Sequence, residues 1–350
     1  NMKKRVLLGM SGGVDSSVSA VLLKEAGYEV IGATMQLCEN SGSDVAIEDA
    51  KKVCDKLEIE HHVIDLKNEF KDLVINNFVK CYSCAKTPNP CIECNKHIKF
   101  GKFYEIAKTL NCEYIATGHY AKTQFLNEYN QVVLKKSKSK LKDQTYFLYG
   151  MPKELLDKVI FPLSDFDDKE QIRKIAEEKN LTIYKKPDSQ EICFIPDNDY
   201  GEFLRKNLNE KQKEGYIVLK DGTKLGEHKG LIYYTIGQRK GLGISYKEPL
   251  YVVKLDKERN EVIVGTEQEL YSKILYAEDL NILLNIDLRE PIEVMAKIRY
   301  RAKEAKATLT VLEDGKVKVE FEEPQRAITA GQAVVFYLND IVLGGATILD

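Results

Sequence analysis

Seven residues near the start of the chain, Ser11-Gly12-Gly13-Val14-Asp15-Ser16-Ser17, join a short apolar run to an amphipathic one, and their types suit an anion. At a strand-to-helix junction the first backbone N–H groups and the positive helix end lack partners. Glycines let that backbone approach a ligand closely, and serine hydroxyls add donors. With Gly9 and Met10 ahead of it, the stretch to Ser16 reads as a cradle for the phosphates of a nucleotide. It lacks the Gly-Lys-Ser/Thr of a Walker A loop, so no loop lysine reaches a γ-phosphate, whereas Asp15 has the carboxylate to hold Mg²⁺. The ordinary alternative is a Gly/Ser turn that caps a helix. Sulfur is the second chemical signal: eight cysteines, with Cys81-x-x-Cys84 and Cys91-x-x-Cys94 ten residues apart. Two such pairs read most simply as a structural zinc knuckle.

These residues need elements to hold them. Arg5 to Met10 reads as a buried strand, Val18 to Ala26 as a helix stopped by Gly27, and Tyr28 to Leu37 as the next strand, a βαβ unit. Helical spacing recurs at Asp49–Leu57, at Phe70, Leu73, Val74 and Phe78, and at Ile98–Leu110, with strands at His62–Leu66 and Tyr114–Thr117 between. This alternation predicts a Rossmann-like α/β domain with a parallel sheet over residues 1–206. Beyond about Lys206 the helical pattern stops, and Asp221-Gly222 and Asp314-Gly315 sit between alternating runs as hairpin turns would. Two small β-rich domains follow, a central one at 207–270 and a C-terminal one at 275–350. Cys38, Cys54 and Cys112 fall in regular elements and read as core; His61, His62 and His228 read as surface or turn residues.

Composition bounds the partners. Of 350 residues, 43% are apolar and 30% charged, which excludes a disordered or membrane-spanning chain; a net charge of −2 leaves nucleic acid to local basic surfaces. No signal peptide precedes the first apolar run, so a cytoplasmic location with reduced thiols is expected. Lys297-Ile298-Arg299-Tyr300-Arg301-Ala302-Lys303 alternates strictly, which on a strand would put four cations on one face, a stripe suited to RNA phosphates. A solvated strand face is the plain reading of the same pattern. Lys229, Arg239 and Lys240 add charge to the central domain.

The loop Ser11 to Ser17 resembles the PP-loop of N-type ATP pyrophosphatases, which cut between the α- and β-phosphates and transfer AMP to an acceptor oxygen. The string Thr87-Pro88-Asn89-Pro90-Cys91-Ile92-Glu93-Cys94-Asn95-Lys96-His97-Ile98-Lys99-Phe100 closely resembles the signature of bacterial tRNA-specific 2-thiouridylases. So do Ala116–Tyr120, Lys142–Leu148, Ser189–Phe194 and Thr235–Gly241, in order along nearly the whole chain. The resemblance implies ATP-dependent 2-thiolation of uridine 34 in the tRNA anticodon loop: AMP is placed on the base oxygen, then sulfur is transferred from a cysteine persulfide supplied by a cysteine desulfurase or relay protein. By position it makes Cys94 the nucleophile or resolving thiol and Cys193 the persulfide carrier. It puts adenine near Met35, the ribose near Gly118, and RNA contacts at Asn89, Pro90, Cys91, His119, Lys142, Asp143, Gln144, Arg299, Tyr300 and Gln332, and it makes the last domain a β-barrel. Many members carry Asp, given an acid/base role, where this chain has Cys91. That thiol opens a second route in which Cys91, Cys94 and Cys193 ligate an iron–sulfur cluster. The rivals are a PP-loop ligase acting on a small molecule and a zinc-stabilised RNA-binding module without catalysis.

Overall fold

The computed structural model describes residues 2–189 and 192–349; Asn1, and Gln190 and Glu191 of the Ser189–Phe194 block, lie outside the described residues. The first unit opens with β1 (Arg5–Gly9), α1 (Val14–Glu25), β2 (Glu29–Gln36), α2 (Ser41–Lys56) and β3 (Glu60–Asp65). Two long helical segments follow. One runs from α3 (Lys67–Phe70) through π-helical Lys71–Ile75 into α4 (Asn76–Ser83). The other runs from α5 (Pro90–Cys94) through π-helical Asn95–Lys102 into α6 (Phe103–Thr109). Then come β4 (Tyr114–Ala116), the hairpin β5 (Lys122–Leu126) and β6 (Gln131–Lys135), β7 (Val159–Ile160), α7 (Lys169–Glu178) and α8 (Tyr200–Asn207).

The parallel sheet has the order β3-β2-β1-β4-β7. Side chains of β1 alternate between its faces: Val6 and Leu8 pack with Val18, Val53 and Ile172, while Leu7 packs with Phe100 and Phe103. Both faces are covered, which is why the strand reads as an unbroken apolar run. Strand order reverses between β1 and β4, so a crevice opens beyond their C-terminal ends, where a ligand site is expected.

The central unit is a four-stranded sheet of β8 (Gly215–Leu219), β9 (Lys224–His228), β10 (Tyr251–Asp256) and β11 (Glu261–Gly265). The turn at Asp221-Gly222 joins β8 to β9 as expected, with Gly222 at φ +89° and the Thr223 N–H donating to Asp221 Oδ1 at 2.9 Å. The last unit holds β12 (Tyr271–Ile282), β13 (Ile292–Lys297), β14 (Ala305–Val311), β15 (Val317–Arg326), β16 (Ala333–Leu338) and β17 (Ile341–Ile348). Pairing of β12 with both β15 and β17 closes these six into a barrel. No helix among the described residues is long and apolar enough to cross a membrane.

Three features depart from the sequence reading. The basic stripe is not a strand: β13 ends at Lys297, and residues 298–304 turn into β14. Buried Ile298 anchors the turn, and Arg299 is half-buried, its Nη2 donating to the carbonyls of Arg326 and Ala327 at 2.7 and 2.8 Å. Only Arg301 and Lys303 face solvent freely. Second, β5 and β6 leave the parallel sheet and extend the barrel through β17. One continuous core accordingly takes Leu134, Tyr146 and Tyr149 from the first unit together with Ala333, Val335 and Tyr337 from the barrel. Third, His228 is buried, its ring bonded to the Asn260 carbonyl at 2.8 Å and to the Gly230 N–H at 3.1 Å.

Candidate active site

The loop at the crevice is built to receive an anion. Gly13 is the N-cap of α1 and no side chain caps the helix, so its first N–H groups remain available. Serine hydroxyls brace the turn: the Ser11 N–H donates to Ser16 Oγ at 3.1 Å, and Ser17 Oγ donates to the Gly13 carbonyl at 2.7 Å. Gly12 takes φ +77°, and a Cβ there would stand 2.5 Å from the Ala46 carbonyl oxygen, so only glycine lets α2 close over the loop. Gly118, beyond β4, lies against the first turn of α1, where a Cβ would meet the Asp15 carbonyl carbon and the Ser16 nitrogen at 2.9 Å. Gly118→Ala should therefore push the loop out of position and weaken ATP binding by about tenfold or more, the scale of 1–3 kcal/mol for overpacking. Calorimetric titration with ATP would check this, with an unchanged circular dichroism spectrum as the folding control.

Side chains distant in sequence complete this end of the site. Asp15 Oδ1 accepts from the Tyr120 hydroxyl at 3.0 Å and pairs with Lys169 Nζ at 2.6 Å. Lys169 also pairs with Asp188 at 2.8 Å, and Lys142 and Arg173 reach the same Asp188, each at 3.6 Å. These cations hold the Asp188 carboxyl below the usual range although burial opposes them. Lys186 Nζ donates to the Gly12 carbonyl at 3.3 Å and pairs with Asp49 at 2.9 Å. Lys169 and Lys186 thus supply the cations that the loop itself lacks. Neither belongs to a recognisable motif, and only the fold reveals them.

The thiol centre lies at the same edge. Asn89 caps α5 by accepting from the Ile92 N–H at 3.3 Å, and Pro90 fills its first turn, a start that fixes where Cys91 and Cys94 point. Cys91 faces outward and Cys94 inward, and burial pushes the Cys94 thiol up to about 11. Cys193, 99 positions further on, comes into the electrostatic reach of Cys94. Its surface is open to solvent, yet it sits among crowding neighbours.

Cys38, expected in the core, belongs to this centre instead. It lies just past the end of β2, half-exposed, and its thiol donates to the Cys193 backbone carbonyl at 3.7 Å. The neighbouring Cys193 thiol holds Cys38 down to about 7 and is itself raised, since two interacting thiols titrate as a pair. Asn40 Nδ2 holds both residues, donating to the Cys193 carbonyl at 3.4 Å and to Cys38 Sγ at 3.8 Å. Lys99, on the π-helical turn, favours the thiolates of Cys91, Cys94 and Cys193 by its charge. Cys54 and Cys112 are buried as expected.

The residues expected at RNA divide by exposure. His119 is bonded to Thr117 Oγ1 at 2.7 Å and lies between Phe100 and, edge-on, Phe161, and burial with the charge of Lys99 holds it down to about 3. It is neutral throughout the physiological range. The unfolded histidine, near 6.5, gains its proton first as pH falls, so this group should cost the fold about 1 kcal/mol between pH 7 and pH 5.5. Urea midpoints at the two values should show that slope in the native chain and lose it in His119→Gln. Asp143 is buried, accepting from the Ser137 N–H at 2.8 Å and from Thr145 Oγ1 at 2.5 Å, and burial raises its carboxyl. Gln144 Oε1 accepts from the Tyr120 N–H at 2.9 Å. Gln332 Nε2 donates to the Thr87 and Pro88 carbonyls at 2.8 and 3.1 Å, fastening the barrel to the loop ahead of α5. Tyr300 packs on Phe147 with ring centroids 4.4 Å apart. Met35 packs at the border of two apolar clusters at the end of β2. An open cleft of about 820 Å³ between the first and central units is lined by Tyr82, Pro88, Ile192, Arg205 and Tyr233.

Among the described residues no three Cys, His, Asp or Glu side chains converge as ligands of one metal ion. The two CxxC pairs are therefore not gathered around one ion as a zinc knuckle would be. An uncapped PP-loop at the switch point of a parallel sheet, with thiols gathered beside it, defines a nucleotide-using α/β enzyme carrying a sulfur centre. Residues 4–197 match the family described as the tRNA methyl transferase HUP domain, 201–266 its PRC-barrel domain, and 272–348 the aminomethyltransferase beta-barrel domain. The chain is 49% identical to tRNA-specific 2-thiouridylase MnmA of Acetivibrio thermocellus, with 99% of each chain covered. It is 50% identical to the protein of that description from Caldicellulosiruptor saccharolyticus, again with 99% of each covered. For Clostridioides difficile the identity is 46%, covering 99% of this chain and 98% of that one. The chain belongs to the tRNA-specific 2-thiouridylase family.

Proposed function

We propose that this chain replaces the C2 oxygen of uridine 34 in tRNA with sulfur at the expense of ATP. The observation that carries the reading is that Cys94 packs in one cluster with Phe194, next to Cys193 in a distant segment, at the sheet edge that also presents the uncapped PP-loop. The loop from Gly9 to Ser16 holds the phosphates, Asp15 holds the Mg²⁺ that arrives with them, and adenine and ribose lie toward Met35 and Gly118. Adenylation of the base oxygen turns a poor leaving group into AMP and releases pyrophosphate. Cys193 receives a persulfide from a cysteine desulfurase or relay protein. Cys94, with Lys99 to stabilise its thiolate, attacks the inner sulfur and frees hydrosulfide at the activated carbon. Residues 1–206 carry the chemistry, while 207–270 and 275–350 hold the RNA.

Exposed Lys229, Arg239, Lys240, Arg301 and Lys303 suit phosphate contacts on a chain without net positive charge. Arg299 and Arg301 should then behave differently. Arg301→Ala should weaken binding of every tRNA alike and flatten its salt dependence by about one unit of slope. Arg299→Ala should chiefly lower the barrel's thermal midpoint, because it leaves two carbonyls without their donor. Filter binding across a salt series and thermal melts separate the two. The reading as a whole is tested by mass spectrometry of nucleosides from tRNA incubated with the protein, ATP, Mg²⁺ and a persulfide donor. 2-Thiouridine that depends on all three is the expected result, and ATP turnover on a small acceptor without RNA would refute it.

A further inference from the structure

The Cys94 sulfur is a poor place to end a turnover. Its residue is 8% exposed, so a disulfide between Cys94 and Cys193 would keep one of its two sulfurs out of the reach of an external reductant. Cys38 has the opposite properties. It is half-exposed, its thiol donates to the Cys193 carbonyl at 3.7 Å, and Asn40 holds the two residues together.

We propose that Cys38 takes over the disulfide left by sulfur delivery, so that the bond finally reduced is Cys38–Cys193 rather than Cys94–Cys193. The proposal rests on the persulfide reading above. In the delivery step the Cys94 thiolate attacks the inner sulfur of the Cys193 persulfide, forming the Cys94–Cys193 bond and expelling hydrosulfide. Hydrosulfide displaces AMP from C2 and gives up its proton. The Cys38 thiolate then attacks the Cys193 sulfur, forming Cys38–Cys193 and releasing the Cys94 thiolate. This exchange is redox-neutral and restores the buried nucleophile. An external dithiol supplies the two electrons, with protons from solvent, that return Cys38 and Cys193 to thiols, and is itself oxidised to a disulfide. Asn40 fits the role of a positioning residue, since its one amide spans both partners.

Trypsin leaves the three thiols of interest on separate peptides, Cys38 within 25–51, Cys94 within 87–96 and Cys193 within 186–205. The experiment loads the full-length protein with persulfide from a cysteine desulfurase and free cysteine. Excess donor is removed, ATP, Mg²⁺ and tRNA are added without reductant, and the reaction is alkylated and digested. The expected end state links 25–51 to 186–205, and Cys38→Ser should instead accumulate the link between 87–96 and 186–205. Steady-state thiolation with a dithiol should fall more in Cys38→Ser than the first turnover does, and Asn40→Ala should slow the exchange without changing the final linkage. A native chain that ends with only the 87–96 to 186–205 link overturns the proposal and leaves the persulfide reading intact. A 186–205 peptide that never gains the mass of one sulfur atom on loading overturns both. Because the decisive measurement uses the native chain, a misfolded variant does not blunt it.

Discussion

Cys193→Ser should abolish 2-thiouridine formation, by about 10³-fold or more, while pyrophosphate release that depends on tRNA continues. Serine nearly keeps the size, and leaves in place the backbone carbonyl that Cys38 bonds, but cannot carry a sulfane sulfur, so the chain should stop after adenylation with the activated base exposed to water. The adenylating loop is built on α1, and its Asp15 is held by Tyr120 and Lys169 rather than by a thiol, so the first half-reaction has no need of this sulfur. Parallel assays of labelled pyrophosphate and of thiolated nucleoside decide the matter. Loss of both activities to the same extent would show that Cys193 shapes the nucleotide site rather than carrying sulfur.

Asp15→Ala is expected to have the second largest effect, stopping adenylation by about 10²–10³-fold with tRNA affinity nearly unchanged. The carboxylate is held by the Tyr120 hydroxyl and by Lys169, a pairing that keeps it at the mouth of the phosphate loop until a metal-bound nucleotide competes for it. With the nucleotide bound, Asp15 would hold the metal ion that offsets phosphate charge, and Lys169, released from Asp15, would add its own charge beside the phosphates. Pyrophosphate, never orthophosphate, should be the primary product from γ-labelled ATP. Equal loss of RNA binding and adenylation would sink the assignment, since the exposed cations of the barrel lie in a different unit.

The parallel sheet and the loop were legible because short-range rules govern them. An unbroken apolar run, a glycine-serine junction and an amphipathic helix leave little choice at residues 5–25. The stripe at residues 297–303 misled because alternation reports a strand only when the pairing partner is present, and here Ile298 turns inward to end β13. Cys38 looked like core because its neighbours in β2 are core; only the return of the chain at residue 193, far away in sequence, makes it part of a site. Lys169 and Lys186 were invisible for the same reason. A lone lysine at a helix start or after a short turn has no signature until an acidic partner is placed beside it. Asn89, Pro90 and Asp143 stand in the matching blocks and Gln332 at a position the resemblance assigns to RNA, but the structure gives each a fastening task, as a cap, a helix start, a loop staple and a clamp between units.

The hairpin of β5 and β6 has a bearing on how the chain is made. Lys135 of β6 registers with Ile341 of β17, 206 positions later, and Leu134 and Tyr146 share a core with strands at the far end of the chain. At 5–20 residues per second, a ribosome takes roughly 10–40 s to supply that partner. During that interval the nascent first unit carries an open strand edge and an uncovered apolar face, the condition in which a wrong neighbour can pair with it. A ribosome stalled within the barrel segment should therefore display a nascent chain that chaperones retain and proteases cut between β6 and β7, and completion of β17 should release the one and end the other.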